Sequence, residues 1–124
     1  MQTLTIAQAA TRTGLTAHTL RYYEQGGLLL APVPRSSSGQ RRYREDDVAW
    51  IVLVTQLRST GMSITGVREY AALVREGSAT EQARLDLLQR HRERVLAQLA
   101  EVTEHLGAID RKIGIYTERL AGRG

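Results

Sequence analysis

The sequence predicts a mainly α-helical protein, in which a winged helix-turn-helix is followed by two helices and a long C-terminal coiled-coil helix. Three observations predict this fold: two short capped helices separated by a tight turn, a basic segment rich in Pro, Ser and Gly, and an unbroken heptad pattern near the end of the 124 residues. We expect a DNA-binding domain over residues 1–77 and a dimerisation helix over residues 78–124.

The first two helices are recognised by their ends. Thr5 and Gln8 form a capping-box pattern, and Gly14 is placed to end the first helix. Thr16 is a suitable N-cap for a second helix, which Gly26 and Gly27 would end in a left-handed conformation. The short, glycine-containing turn between the two helices is typical of a helix-turn-helix.

The second helix has two distinct faces. Apolar residues at a spacing of three would pack on a small core, whereas four residues at i, i+3, i+4 and i+7 share an outward stripe. The stripe consists of His18, Arg21, Tyr22 and Gln25. These side chains donate hydrogen bonds or stack, and none is acidic, so the stripe suits phosphates and base edges. An ordinary solvated helix face remains the alternative.

The segment after Gly27 predicts a hairpin. Leu28–Leu30 would form one strand, Ser36–Gly39 a turn, and Gln40–Tyr43 the returning strand. The basic and aromatic side chains of the hairpin are Arg35, Arg41, Arg42 and Tyr43. A basic hairpin after a helix-turn-helix is interpreted as a wing, with a solvated hairpin as the alternative.

Two further helices are expected to complete the core. The acidic run Glu45–Asp47 favours a helix N-terminus, and this helix should end before Gly61. Ser63 would cap the next helix, which Gly77 closes. Both helices are interpreted as structural.

The last helix carries a heptad repeat with 3-4-3-4 spacing. Ten of its 11 seam positions are apolar, Arg92 being the exception, and they are Leu85, Leu88, Val95, Leu99, Val102, Leu106, Ile109, Ile113, Tyr116 and Leu120. A helix from about residue 80 to residue 120 would be roughly 60 Å long, and nothing else in the chain could cover its seam. We therefore expect a homodimer, although the flanking charges do not decide whether the two helices run parallel or antiparallel.

Composition and motifs argue against catalysis and metal binding. The chain has no cysteine, and neither a catalytic constellation, a metal-ligand spacing nor a phosphate-binding glycine loop is found, so we expect no cofactor. The apolar runs fall short of the ~20 residues that span a bilayer, and no signal segment opens the chain, so no membrane partner and a cytoplasmic location are expected.

The motifs TIAQAATRTGLTAHTLRYYEQGGLL, SGQRRYREDDV and LRSTGMSITGVREY together resemble the MerR family of bacterial transcription regulators. The resemblance covers essentially the whole chain, and the segment GMSITGVREYAALVREG with its heptad helix is similar to the small AdhR/NmlR-like stress-response branch. It implies a homodimer that binds a palindromic promoter element and bends and untwists the DNA. RNA polymerase is then affected indirectly, through the DNA.

The resemblance also implies roles for individual residues. Those expected at the major groove and its flanking phosphates are Thr16, His18, Arg21 and Tyr22, and those expected on the DNA backbone are Arg12, Arg41, Arg42 and Tyr43. The similar branch commonly has a cysteine where this chain has Gln56, so thiol sensing is unsupported and the inducer is unknown. A pocket involving Trp50, Gln56 and Tyr70 is the first place to look for one.

Two other function classes remain open. An architectural or excisionase-like protein would use the same winged helix without remodelling a promoter, although such proteins usually lack a long coil. A coiled-coil adaptor with an incidental basic end would not depend on Arg21 or Arg42.

Overall fold

A computed structural model describes residues 2–123 and confirms the mainly helical prediction. Its five α-helices are α1 (Ile6–Thr13), α2 (Ala17–Gln25), α3 (Glu45–Ser59), α4 (Ile64–Arg75) and α5 (Glu81–Ala121). A 3-10 turn, Ser78–Thr80, precedes α5. None of the helices within the described range combines the length and the apolar character that crossing a membrane requires.

The predicted caps determine where α1 and α2 begin. The Thr5 hydroxyl accepts the Gln8 amide at 3.2 Å, and the Gln8 side chain accepts the Thr5 amide at 2.8 Å. Thr16 caps α2 through the Thr19 amide at 3.1 Å. After α2, Gly27 has the predicted left-handed conformation, with φ +74°, whereas Gly26 does not, since its φ is −82°.

The two predicted strands of the hairpin are not formed. Residues 28–30 are bent, and the only pairings in the described chain are the isolated antiparallel bridges Arg35–Arg41 and Leu4–Tyr43. The turn over residues 36–39 is present, closed by a bond from the Ser36 amide to the Gln40 carbonyl at 2.8 Å. Side chains of α3 and α4, rather than a neighbouring strand, bond the carbonyls of residues 28–30.

The core lies where α1, α2, α3 and α4 meet the loop after α2, residues 26–34, and the wing, residues 35–43. Its fully buried residues are Ala9, Leu20, Leu28, Tyr43, Ile51, Val54, Val67 and Ala71. The rings of Trp50 and Tyr70 stack with centroids 5.6 Å apart and planes 11° apart, which joins α3 to α4. This core fixes α2 so that its polar stripe faces away from it.

The chain forms two compact units, which meet between Leu87 and Leu88. The start of α5 therefore belongs to the first unit, where the Arg84 guanidinium donates to the Gly77 carbonyl at 3.0 Å. The predicted domain boundary at residue 77 lies before the start of α5, whereas the compact unit continues into that helix. Whether the first unit is an independent domain stays a prediction.

The second unit is the remainder of α5, and its apolar side chains are exposed. The seam side chains that are 51 to 64% exposed in the single chain are Leu99, Val102, Leu106, Ile109, Ile113, Tyr116 and Leu120. Leu88 and Val95 are partly buried, and Leu85, a seam residue within the first unit, is 48% exposed. A continuous exposed row of this kind is typical of a helix that pairs with another helix.

Candidate nucleic-acid interface

The stripe on α2 is exposed to solvent. His18, Arg21 and Gln25 are exposed, and the ring of Tyr22 is 47% exposed. Leu20, on the opposite face, is entirely buried and anchors α2 to the core. The helix thus offers one imidazole, one guanidinium, one phenol and one amide on a face without a carboxylate.

The wing is a narrow hairpin that brings two arginines together. The Arg42 amide donates to the Pro34 carbonyl at 2.8 Å, so Arg35 and Arg41 lie directly opposite each other. Opposed residues of an antiparallel pair project from the same face, so both guanidinium groups lie on one side of the wing. The Arg35 guanidinium also donates to the Gly39 carbonyl at 3.3 Å, which orders the turn.

Glu24, on α2, joins the recognition helix to the wing. Its carboxylate accepts a bond from Arg41 Nε at 2.7 Å and another from the Val33 amide at 2.8 Å, with Arg35 Nη2 at 3.8 Å. The side chains of Glu24 and Arg41 are only 13% and 15% exposed. Burial opposes ionisation, but these bonds and charges outweigh it and hold the pKa of Glu24 below its usual value.

A depression of about 390 Å³ lies between α2, the wing and the start of α1. Its lining includes Arg21, Arg35, Arg41, Gln40 and the first residues of α1 at 5–7. The first turn of α1 contains no acidic residue, so the partial positive charge of that helix end adds to the charge of the arginines. Because Glu24 neutralises only one guanidinium, the depression keeps an excess of positive charge and suits a phosphate.

Arg42 and Arg12, which were also predicted to contact DNA, differ in their exposure and in their bonding partners. Arg42 is half-buried and donates through Nε to the Thr3 hydroxyl at 3.0 Å, which leaves its terminal nitrogens for a phosphate. Arg12 is exposed and paired with Glu45 at 2.7 Å, and this pair raises the pKa of Arg12. A DNA phosphate would therefore have to compete with Glu45 for Arg12.

The structure corrects the prediction made for Tyr43. We expected it on the DNA backbone, but its side chain is 0% exposed, and its backbone pairs with Leu4 at 2.7 and 2.8 Å. Burial raises the pKa of its hydroxyl. A ring enclosed in this way cannot reach DNA, so Tyr43 supports the wing from within the core.

The structure gives limited support to the suggested effector pocket. Trp50 and Tyr70 are together but fill the space by stacking, and the Trp50 indole N–H donates to the Leu28 carbonyl at 2.8 Å. Gln56 is exposed and six residues further along α3, which places it about 120° around the helix from Trp50. A pocket built from these three residues stays a prediction.

Sequence reasoning missed the residues that orient the interface. Glu24 is the only acid among the first 44 residues, and that isolation could have indicated a specific partner. Arg68 and Arg75 gave no such signal, because exposed arginines on a helix are common. Among residues 2–123, no group of three or more His, Cys, Asp or Glu side chains is arranged to hold a metal ion.

Comparison with known proteins agrees with this geometry. Residues 4–73 match the family model described as MerR HTH family regulatory protein, and residues 48–111 match the model described as MerR, DNA binding. The chain is similar to the HTH-type transcriptional regulator AdhR of Bacillus subtilis, with 45% identity over 93 residues, covering 75% of this chain and 66% of AdhR.

Solved structures extend the similarity to nearly the whole chain. HiNmlR, a MerR family regulator lacking the sensor domain and crystallised bound to promoter DNA, is 34% identical with a TM-score of 0.86, over 97% of this chain and 94% of that one. A putative MerR family regulator from Listeria monocytogenes is 38% identical with a TM-score of 0.85, over 91% and 85%. This chain, free of cysteine, therefore belongs to the MerR family and is a DNA-binding transcription regulator of that type.

Proposed function

We propose that this protein binds a palindromic promoter element as a homodimer and controls transcription by bending and untwisting the promoter. The observation that carries the proposal is the positive depression beside the polar stripe of α2, since together they present base-reading and phosphate-binding groups on one surface. RNA polymerase would respond indirectly, through the altered DNA. The similarity to a regulator crystallised on promoter DNA supports this assignment.

The stripe on α2 would enter the major groove. Arg21 is placed to reach a guanine edge or a phosphate, and His18 and Tyr22 are exposed on the same face. Thr16 lies at the helix end nearest the turn, where its hydroxyl is already bonded to the Thr19 amide and hydroxyl. We therefore assign Thr16 to positioning the helix start, with a flanking phosphate within its reach.

The wing would hold the DNA backbone. Arg41 is fixed by Glu24, so its remaining N–H groups have a defined direction, and Arg42 is fixed in the same way by the Thr3 hydroxyl. Arginines held in this way lose less side-chain entropy on binding a phosphate than free ones do. Arg12 contributes only if DNA displaces Glu45 from it.

The exposed seam of α5 supports dimerisation. Covering the apolar side chains from Leu85 to Leu120 with a second copy removes them from water, and a two-fold axis then places two α2 stripes on one palindrome. The assembly requires no catalytic group, and we propose that the protein is a cytoplasmic regulator rather than an enzyme.

The experiment compares arginine variants in a binding assay with a duplex selected by the protein from a randomised library. Arg21→Ala should weaken the selected duplex by about 1–3 kcal/mol if it reads a base edge, with less effect on a scrambled duplex. Arg42→Ala should weaken both duplexes alike and lower the salt slope by about one unit per lost contact, or about two for a symmetric dimer.

Arg111→Ala provides the matched control. Arg111 is exposed on α5 away from the seam, so its loss should leave binding unchanged. Equal, weak binding of both duplexes by the unaltered protein would favour the architectural alternative. Binding that survives Arg21→Ala and Arg42→Ala together would contradict the proposed interface.

A further inference from the structure

The loop that connects α2 to the wing, residues 26–34, is held mainly by side chains. Its backbone bonds in the described chain lie at the two ends, where the Leu28 amide donates to Tyr23 and the Pro34 carbonyl accepts from Arg42. Within residues 26–30, four carbonyls accept bonds from side chains of α3 and α4, and they are those of Gly26, Leu28, Leu29 and Leu30. The path of this loop therefore depends on groups outside the helix-turn-helix.

Two arginines of α4 provide most of these bonds. Arg68 Nε donates to the Gly26 carbonyl at 2.6 Å, at the point where the recognition helix ends. Arg75 Nε donates to the Leu30 carbonyl at 2.7 Å, and its Nη2 donates to the neighbouring carbonyl of Leu29. The planar guanidinium fork suits two adjacent carbonyls, whereas a lysine ammonium cannot match this geometry.

Two further side chains, those of Trp50 and Glu24, also form hydrogen bonds to the loop. Trp50, stacked on Tyr70, donates to the Leu28 carbonyl at 2.8 Å, and Glu24 accepts the Val33 amide at 2.8 Å. The loop is thus fixed to α4 at its start and middle, to α3 between these points, and to α2 at its end. These bonds, at residues 26, 28–30 and 33, define the path of the loop between the recognition helix and the wing.

The spacing of the two arginines sets the distance between the two points of the loop that α4 holds. Arg68 and Arg75 are seven residues apart, so they lie on one face of α4, about 10.5 Å apart along its axis. One guanidinium holds the C-terminal end of α2, and the other holds the chain where it turns toward the wing. Helix α4 therefore sets the separation between the end of α2 and residues 29–30 of the loop.

We propose that Arg68 and Arg75 are positioning residues for DNA binding, which act by holding the wing at the separation from α2 that one duplex requires. This inference rests on the proposed function, because it presumes that α2 and the wing contact the same DNA. Neither arginine itself is assigned a contact with DNA. Their guanidinium groups are directed at protein carbonyls, so their effect on binding passes through the wing.

The test uses Arg75→Gln, Arg75→Lys and Arg68→Gln in the full-length protein, with a duplex selected from a randomised library by the unaltered protein. Arg84→Gln is the matched control, since Arg84 also donates to a carbonyl, that of Gly77, but outside the loop. All binding is measured at a temperature where thermal unfolding shows every variant to be folded.

The salt dependence of binding distinguishes positioning from a general loss of stability. Each phosphate contact contributes about 0.9 to the slope of log K against log salt, so a symmetric dimer that loses one wing contact per protomer should lose about 2 from that slope. We expect this change for Arg75→Gln, a partial change for Arg75→Lys and Arg68→Gln, and none for Arg84→Gln. A variant that is only less stable would bind with the original slope once folded.

A double-mutant cycle then identifies the wing as the element affected. Combining Arg75→Gln with Arg42→Ala should cost clearly less than the sum of the two single changes, because both remove the same contact. The combination of Arg84→Gln with Arg42→Ala should be additive.

Two results would overturn the inference while leaving the proposed function intact. One is an unchanged salt slope for Arg75→Gln. The other is full additivity of Arg75→Gln with Arg42→Ala. Either result counts against the inference alone if Arg21→Ala still removes selective binding. Failure of the unaltered protein to select any duplex would instead contradict the proposed function itself.

Discussion

Replacing Glu24 with Gln should destabilise the first unit by about 2 kcal/mol. The Glu24 carboxylate accepts one bond from the Arg41 guanidinium and one from the Val33 amide, at 2.7 and 2.8 Å. A glutamine has one acceptor oxygen, so it can keep one of these bonds but turns an N–H toward the other donor. Hydrogen bonds to charged groups contribute about 1.5–3 kcal/mol each, and the two side chains are largely shielded from water.

The pH dependence of this loss follows from the lowered pKa of Glu24. The carboxylate binds a proton less readily in the folded chain than in the unfolded chain, so its stabilising contribution is complete above the ordinary value near 4.5. The contribution is lost as the pH falls through the lower, folded pKa. The difference between the original protein and Glu24→Gln should therefore be largest near neutral pH and shrink below about pH 4.5.

Urea unfolding at fixed protein concentration measures both effects. With a slope of about 2 kcal/mol per molar urea, the midpoint should fall by about 1 M at pH 7 and by less at pH 3.5. Glu45→Gln is the control, because its partner Arg12 and Glu45 itself are 49% and 63% exposed and water screens their attraction. A Glu24→Gln protein as stable as the original at pH 7, or a difference independent of pH, would refute the reasoning.

Two further pairs of variants test the seam and the glycines. Val102→Asp places a charge in the α5 seam and should convert the dimer to monomer in sedimentation, whereas Ile115→Asp, outside the heptad seam, should leave the dimer intact. A Val102→Asp dimer would refute the seam. Gly114→Ala should raise stability by up to about 1 kcal/mol, because nothing lies within 4 Å of the added carbon. Gly66→Ala should lose that gain or become destabilising in thermal unfolding, since its added carbon would lie 2.9 Å from Met62 Cγ; an equal gain at both positions would contradict this.

Features encoded by neighbouring residues could be predicted from the sequence. The capping box at Thr5, the N-cap at Thr16 and the stripe on α2 depend on residues within two helical turns, so their spacing is sufficient. The start of α5 was expected near residue 80, and the helix begins at Glu81. The homodimer remains a prediction, based on the heptad periodicity of α5.

The hairpin shows where local reasoning fails. Leu28–Leu30 has a composition suited to a strand, but no neighbouring strand pairs with it, and its carbonyls are bonded by Trp50 and Arg75 instead. Tyr43 likewise follows two arginines in a basic segment, yet its ring fills the core. Burial depends on the packing of distant elements, which the composition of a short segment does not specify.

The sequence by itself therefore determined the helices, the N-caps of α1 and α2, the polar stripe and the heptad pattern, because each arises from residues close together in the chain. The tertiary structure alone decided how the recognition helix and the wing are joined. Glu24 meets Arg41 across 17 residues, and Arg75 meets Leu29 across 46. Such pairings depend on the three-dimensional path of the chain, since many arginines along it could have satisfied the same acceptors.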